Sequence, residues 1–167
     1  GIVSNYIDGN ENYDVDGTVN DRLEVNGDTI DYSGKNAGIT LNLDGTDTNS
    51  SNTTYQYSTV DVAGSAIDDY IKNIENVSGS TVKDIITGDA NKNTLLGNAG
   101  NDTLDGGAEA DYIDGGAEND TLDGGAGADN LFGGSGDDIF IGTTFTSDVI
   151  NGDSGTSNIG LADTVDY

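Results

Sequence analysis

The chain has 167 residues, and 31 Asp and Glu against 5 Lys and Arg give it a net charge of −26. With neither His nor Cys, it lacks the commonest general base, a thiol nucleophile, the nitrogen and sulfur ligands of zinc sites and any disulfide. Nucleic acid is excluded as a partner for so acidic a surface, and an apolar content of 33 % is low for a fold that must overcome this self-repulsion without bound cations.

Residues 1–78 read as a β-rich N-terminal block. Asn12, Asp14 and Asp16 followed by Gly17 resemble the first half of an EF-hand loop and form a candidate extra metal site, but Leu23 stands where the bidentate Glu belongs, so the loop is not a complete EF-hand. Leu23, Val25, Ile30 and Tyr32 alternate around Asn26-Gly27-Asp28, the pattern of a hairpin. Ile39, Leu41 and Leu43 alternate as a half-buried strand, as do Tyr55 and Tyr57 and then Val60 and Val62, while the Ser/Thr/Asn-rich stretch 46–54 reads as a loop. Ile67, Tyr70, Ile71, Ile74 and Val77 recur at three- and four-residue spacing, the signal of a short amphipathic helix.

From Gly79 the pattern changes. Seven nine-residue units begin at Gly79, Gly88, Gly97, Gly106, Gly115, Gly124 and Gly133 and extend to Ile141. Their sixth places hold Asp84, Asn93, Asp102, Asp111, Asp120, Asp129 and Asp138, and their eighth places hold Ile86, Leu95, Leu104, Ile113, Leu122, Leu131 and Phe140. This is the G-G-x-G-x-D-x-U-x signature of a parallel β-helix. Three residues around each aliphatic make a strand whose middle side chain points inward, and the glycine-rich remainder makes a turn. Two units close a coil of about eighteen residues, and coils stack at roughly 4.8 Å. Sixth-place residues two units apart then lie one above another. Carboxylates so placed repel without a cation between them, and a cage of carboxylate and main-chain oxygens favours Ca²⁺ over transition metals. About four to six ions are expected.

The stretch resembles the RTX repeats of secreted bacterial proteins, best at Gly124-Gly125-Ala126-Gly127-Ala128-Asp129 and Gly133-Gly134-Ser135-Gly136-Asp137-Asp138. The resemblance implies an all-β fold, a calcium-loaded parallel β-roll over 79–141. It also implies that the ligands are the sixth-place side chains and carbonyls of Gly106, Gly107, Gly115, Gly116, Gly124, Gly125, Gly127, Gly133, Gly134 and Gly136. Glu109 and Glu118 depart from the pattern where a fourth-place Gly belongs, Asn93 replaces one Asp, and the unit at Gly79 keeps only its first Gly, Asp and aliphatic. Those sites should be weaker or differently built. The resemblance further implies that Ile74-Glu75-Asn76-Val77 is an irregular rung leading into the roll, which stands beside the helix reading as an alternative.

Residues 142–167 lose the nine-residue register but keep Asp148-Val149-Ile150 and Asp163-Thr164-Val165, which suits a segment that caps the roll. Asp28-Thr29-Ile30-Asp31-Tyr32 recurs as Asp163-Thr164-Val165-Asp166-Tyr167, the mark of one unit cut from a tandem array, whose next module would begin here. No cleavable leader and no apolar run long enough to enter a membrane is present, which fits the type I secretion that the resemblance implies.

The expected function is that of a calcium-binding structural module, not an enzyme. It would fold on Ca²⁺ after export and act as an extender or spacer in a cell-surface adhesin, in contact with neighbouring modules of the same chain. The alternative is a carbohydrate-binding accessory module of a secreted polysaccharide-modifying enzyme. Such a module calls for a basic strip, yet every Lys and Arg precedes residue 93. Glu109 and Glu118 would be the candidate glycosidase pair, but they occupy equivalent turn places on opposite edges of the roll. Leu96, Tyr112 and Phe132 fall on outward places of one sheet, an apolar face that the N-terminal block or the C-terminal tail would cover.

Overall fold

The computed structural model describes residues 6–8, 29–43, 58–62, 69–72, 74–142, 147–153 and 164–166. Fifteen strands make up the regular structure of the described residues. The N-terminal five are β1 (Tyr6–Asp8), β2 (Thr29–Asp31), β3 (Ile39–Asn42), β4 (Ser58–Val62) and β5 (Asp69–Lys72). The repeat region supplies β6 (Asn76–Ser78), β7 (Ile85–Thr87), β8 (Thr94–Leu96), β9 (Thr103–Asp105), β10 (Tyr112–Ala117), β11 (Thr121–Asp123), β12 (Asn130–Ser135) and β13 (Ile139–Ile141), followed by β14 (Val149–Asp153) and β15 (Thr164–Asp166). Among the described residues there is no helix, and so none that could cross a membrane.

Consecutive strands of the roll alternate between two sheets. One runs β3-β7-β9-β11-β13-β15 in parallel, and the other runs β14-β12-β10-β8-β6-β2, also parallel throughout. The nine-residue period therefore sends each unit to the sheet opposite its neighbour. Units two apart pair directly, as Leu104 with Leu122 and Leu95 with Ile113. The architecture is a β-solenoid, as the sequence pattern requires.

The core is one aliphatic wide per strand. Leu41, Ile86, Leu104, Leu122 and Phe140 form one inner column, and Ile30, Val77, Leu95, Ile113 and Leu131 the other. All ten are buried. Alternation puts seventh and ninth places outside, where Thr103 stacks on Thr121 and Asp105 on Asp123.

The roll continues at both ends beyond the glycine-rich units. β2 pairs in parallel with β6 and β3 with β7, while Tyr32, Ile39, Leu43 and Ile74 join the buried cluster. β4 lies antiparallel to both β3 and β5, and β1 is parallel to β5. At the other end β14 and β15 add one more strand to each sheet. The described strands of both segments thus join the sheets edge to edge.

One expectation changes, and several others lie partly or wholly outside the described residues. The helical spacing of Ile67 to Val77 gives strands β5 and β6, with Asn76-Val77-Ser78 a full rung between Ile30 and Leu95. Neighbouring strands on both sides claim the main-chain hydrogen bonds of β5 and of β6, so tertiary pairing overrides local spacing. The Ile30 arm of the expected hairpin pairs in parallel with β6, and its other arm, Leu23 to Val25, lies outside the described residues. So do Asn12, Asp14 and Asp16, the loop 46–54, and Tyr55 and Tyr57.

Candidate metal centre

All seven sixth-place residues are buried, each 0 or 1 % exposed. Along the roll they take part in one repeated hydrogen bond, in which a sixth-place main-chain N–H donates to the Oδ1 of its counterpart one coil further on. Asp84 donates to Asp102, Asn93 to Asp111 and Asp102 to Asp120 at 2.8 Å, and Asp111 donates to Asp129 and Asp120 to Asp138 at 2.9 Å. The series then takes in a residue that the strict repeat misses. Asp129 donates to Asp148 Oδ1 at 3.0 Å, across a sequence separation of 19 rather than 18. Two spines of acid result, one along each turn edge of the roll.

This bond uses one oxygen of each carboxylate. The second, Oδ2, is buried with no hydrogen-bond partner at Asp102, Asp111, Asp120 and Asp129. A buried anionic oxygen without a donor is costly enough that it demands a compensating charge. Burial, in the first place, pushes these carboxyls up from the ordinary 3.8, to about 6 at Asp102, about 7 at Asp111 and about 8 at Asp120, and upward also at Asp129. Neighbouring acids add to it: Asp84 and Glu118 around Asp102, Asp129 around Asp111, and Asp102 and Asp138 around Asp120.

Each Oδ2 folds back over the first glycine of its own unit. A Cβ added at Gly97 would lie inside 3.0 Å of both Asp102 Oδ2 and the Gly115 carbonyl. The same holds at Gly106 for Asp111 Oδ2 and the Gly124 carbonyl, and at Gly115 for Asp120 Oδ2 and the Gly133 carbonyl. At Gly133 the oxygens are Asp138 Oδ2 and the carbonyl of Gly152, which sequence reasoning did not single out. First-place glycine is therefore required because oxygen atoms occupy the space of a side chain.

The expected carbonyl donors separate into two groups. Those of Gly106, Gly115, Gly124 and Gly133 face the sixth-place oxygens of the preceding coil. Of the second-place carbonyls, that of Gly107 is engaged between coils, accepting the N–H of Ala126 at 2.9 Å. Second-place Gly107, Gly116, Gly125 and Gly134 have φ between 81° and 103° and stand against the main chain of the adjacent coil, so their first duty is to let coils approach. Fourth-place Gly127 and Gly136 are similarly pressed by the Glu109 and Glu118 carbonyls.

Among the described residues no group of three or more Asp, Glu, His or Cys side chains is arranged as a metal cage. The cradle is built instead from single carboxylates and main-chain carbonyls. Such an all-oxygen set suits a hard cation, and Ca²⁺ in particular, because its flexible six- to eight-fold coordination tolerates carbonyls from two coils. The residues present fit calcium.

The fold and its acidic spines define a cation-binding β-solenoid. A profile of the RTX calcium-binding nonapeptide repeat, four copies long, matches residues 78–113, 87–122 and 105–140. Residues 78–140 are therefore RTX repeats, folded as a calcium-binding parallel β-roll. A search of curated proteins found no match to the chain.

Glu109 and Glu118 enter the left-handed region with φ of 69° and 74°, at a cost of about 1–2 kcal/mol each relative to Gly. Glu118 recovers part of it, for its Oε2 accepts the N–H of Gly100 at 2.7 Å. In saturating calcium, Glu109→Gly is expected to stabilise the module by up to about 1 kcal/mol after the entropic cost of glycine, and Glu118→Gly by less. Equal gains in chemical denaturation would show that the Gly100–Glu118 bond contributes nothing.

Proposed function

We propose that this chain is a structural module of a secreted bacterial cell-surface protein that folds on calcium after type I export and serves as an extender or spacer in an adhesin. The observation that carries the calcium part is the set of buried Oδ2 atoms of Asp102, Asp111, Asp120 and Asp129 lying without donors. Main-chain carbonyls adjoin those of Asp102, Asp111 and Asp120. In this reading the ligands are these carboxylates together with Asp138, and the carbonyls of Gly115, Gly124 and Gly133. The bound ions, about four to six in number, supply the counter-charge that the roll lacks beyond Lys92.

The spacer role follows from shape and composition. A solenoid grows along one axis, each coil adding roughly 4.8 Å, and metal clamped between coils stiffens it. Low cytosolic calcium would leave the chain unfolded for export, and external calcium would fold it. The alternative carbohydrate-binding role would need cationic groups to meet an anionic polymer, and none follows residue 92. Catalysis has no part in this reading, since neither His nor Cys is available.

The test is far-UV circular dichroism of the EDTA-treated chain during a calcium titration, with magnesium as control. A cooperative gain of β signal with calcium alone is expected. A chain already fully folded in EDTA and indifferent to calcium would refute the assignment.

A further inference from the structure

The seven sixth places are not equivalent, and the difference lies in who satisfies their oxygens. At Asp84 the protein does so completely. Oδ1 accepts the N–H of Ile39 and the hydroxyl of Ser80, both at 2.8 Å, and Oδ2 accepts the N–H of Ser80 at 2.6 Å. Ser80 stands where later units have a second glycine or a small polar residue, and its hydroxyl adds a donor that no glycine could supply. The Gly97 carbonyl faces Asp84 Oδ2 as the later first-place carbonyls face theirs, while the Gly79 carbonyl accepts the side-chain amide of Asn98 at 2.7 Å.

The other edge repeats the arrangement with different residues. Asn93 carries no charge, its Oδ1 accepts the N–H of Asp89 at 2.9 Å, and its amide donates to the Glu75 carbonyl at 3.1 Å. At Asp102, Asp111, Asp120 and Asp129 no such donors appear among the described residues, and Oδ2 is left bare.

The same end of the roll holds what a metal-free fold needs. Tyr32, Ile39, Leu43 and Ile74 enlarge the buried cluster beyond the single aliphatic per unit found further on. Residues 29–43 are tied to the first units by Tyr32 N–H to Ser78 O at 2.8 Å, Leu43 N–H to Thr87 O at 2.9 Å, and Thr81 N–H to Lys35 O at 3.0 Å. Lys35, Lys83 and Lys92 supply positive charge there, whereas residues 93–167 have none.

We infer that the roll is built in two parts: a metal-independent seat, made of residues 29–43 and 74–96, and a cation-dependent stack from Gly97 onward that folds onto it. Asp84 and Asn93 are then internal caps rather than calcium ligands. Calcium-driven folding grows from the seat toward the C-terminal end, and each added coil finds the preceding sixth-place N–H already in position for its Oδ1. The inference rests on the calcium reading above and adds to it where the metal acts.

The experiment is amide hydrogen exchange on the full chain at neutral pH, in EDTA and in saturating calcium, together with the calcium count from isothermal titration of the wild type, Asp84→Asn and Asp120→Asn. Protection in 29–43 and 74–96 is expected in both buffers, and in 97–142 only with calcium. Asp84→Asn should keep the wild-type count and Asp120→Asn should lower it by at least one ion. Loss of protection throughout in EDTA, restored by calcium, would overturn the seat while leaving calcium-driven folding intact. A lowered count in Asp84→Asn would overturn the cap role of that residue. Full protection in EDTA would overturn both the division and the calcium reading.

Discussion

Replacing Gly134 by Ala is expected to destabilise the calcium-loaded module by about 2–5 kcal/mol, the combined cost of a left-handed alanine and of overpacking. Gly34→Ala should stay within about 0.5 kcal/mol of the wild type. Gly134 has φ of 98°, and an added Cβ would meet the carbonyl oxygen, carbonyl carbon and Cα of Gly116 in the adjacent coil. Those are main-chain atoms of a stacked coil, held by the pairing of β10 with β12, in which Gly116 is the register partner of Gly134. They cannot rotate away as a side-chain end would, so the coils must separate. Gly34 has nothing within 4 Å of such a Cβ. Denaturant midpoints of the two variants in saturating calcium make the comparison, and similar losses would mean that close coil approach is not what second-place glycine provides.

Much of the roll was legible in the sequence because its period states the geometry. A residue every nine that is always large and apolar must face inward, and Ile86, Leu95, Leu104, Ile113, Leu122, Leu131 and Phe140 all do. A sixth place that is nearly always Asp must be where the turn closes, and those residues are buried and linked coil to coil. The N-terminal rungs were harder to see. Thr29-Ile30-Asp31 and Ile39-Thr40-Leu41 form the same inward-pointing strands, but the turn between them, Tyr32 to Gly38, lacks the paired glycines that announce the repeat. Without that punctuation, alternation alone could not distinguish parallel stacking from a hairpin. At the far end one extra residue before Asp148 breaks the count, although the Asp-x-aliphatic triplet survives and takes its proper place against Asn130 and Leu131.

The finer division of the site was not legible for a different reason. Ser80 and Asn98 look like tolerable departures from a glycine consensus, and each consequence is a contact that a linear pattern does not display. The Asn98 amide reaches the Gly79 carbonyl one coil back, and Ile39, 45 residues upstream, supplies the donor for Asp84 Oδ1. The second role of a candidate ligand is equally hidden: the Gly107 carbonyl, which family resemblance marks as a ligand, also accepts an N–H from Ala126 in the next coil.

Without calcium, acid is expected to favour the folded roll and alkali to unfold it, the reverse of ordinary acid denaturation. Asp102, Asp111 and Asp120 take up protons in the folded, metal-free chain at pH values of about 6, 7 and 8, against 3.8 as the ordinary value, chiefly because burial penalises their charge. Between those limits the folded state binds more protons than the unfolded state, so stability falls as pH rises from about 4 through about 8. The net charge of −26 acts in the same sense, since neutralising carboxyls relieves the repulsion of the compact state. Calcium reverses the dependence, because it requires the carboxylates and must displace these protons; its apparent affinity should fall steadily as pH drops through the same window. Circular dichroism in EDTA at about pH 5 and about pH 9, repeated with calcium, reads both effects. A metal-free chain that is equally ordered at the two pH values, or more ordered at the higher, would show that these carboxyls are not buried beside one another in the way the acidic spines require.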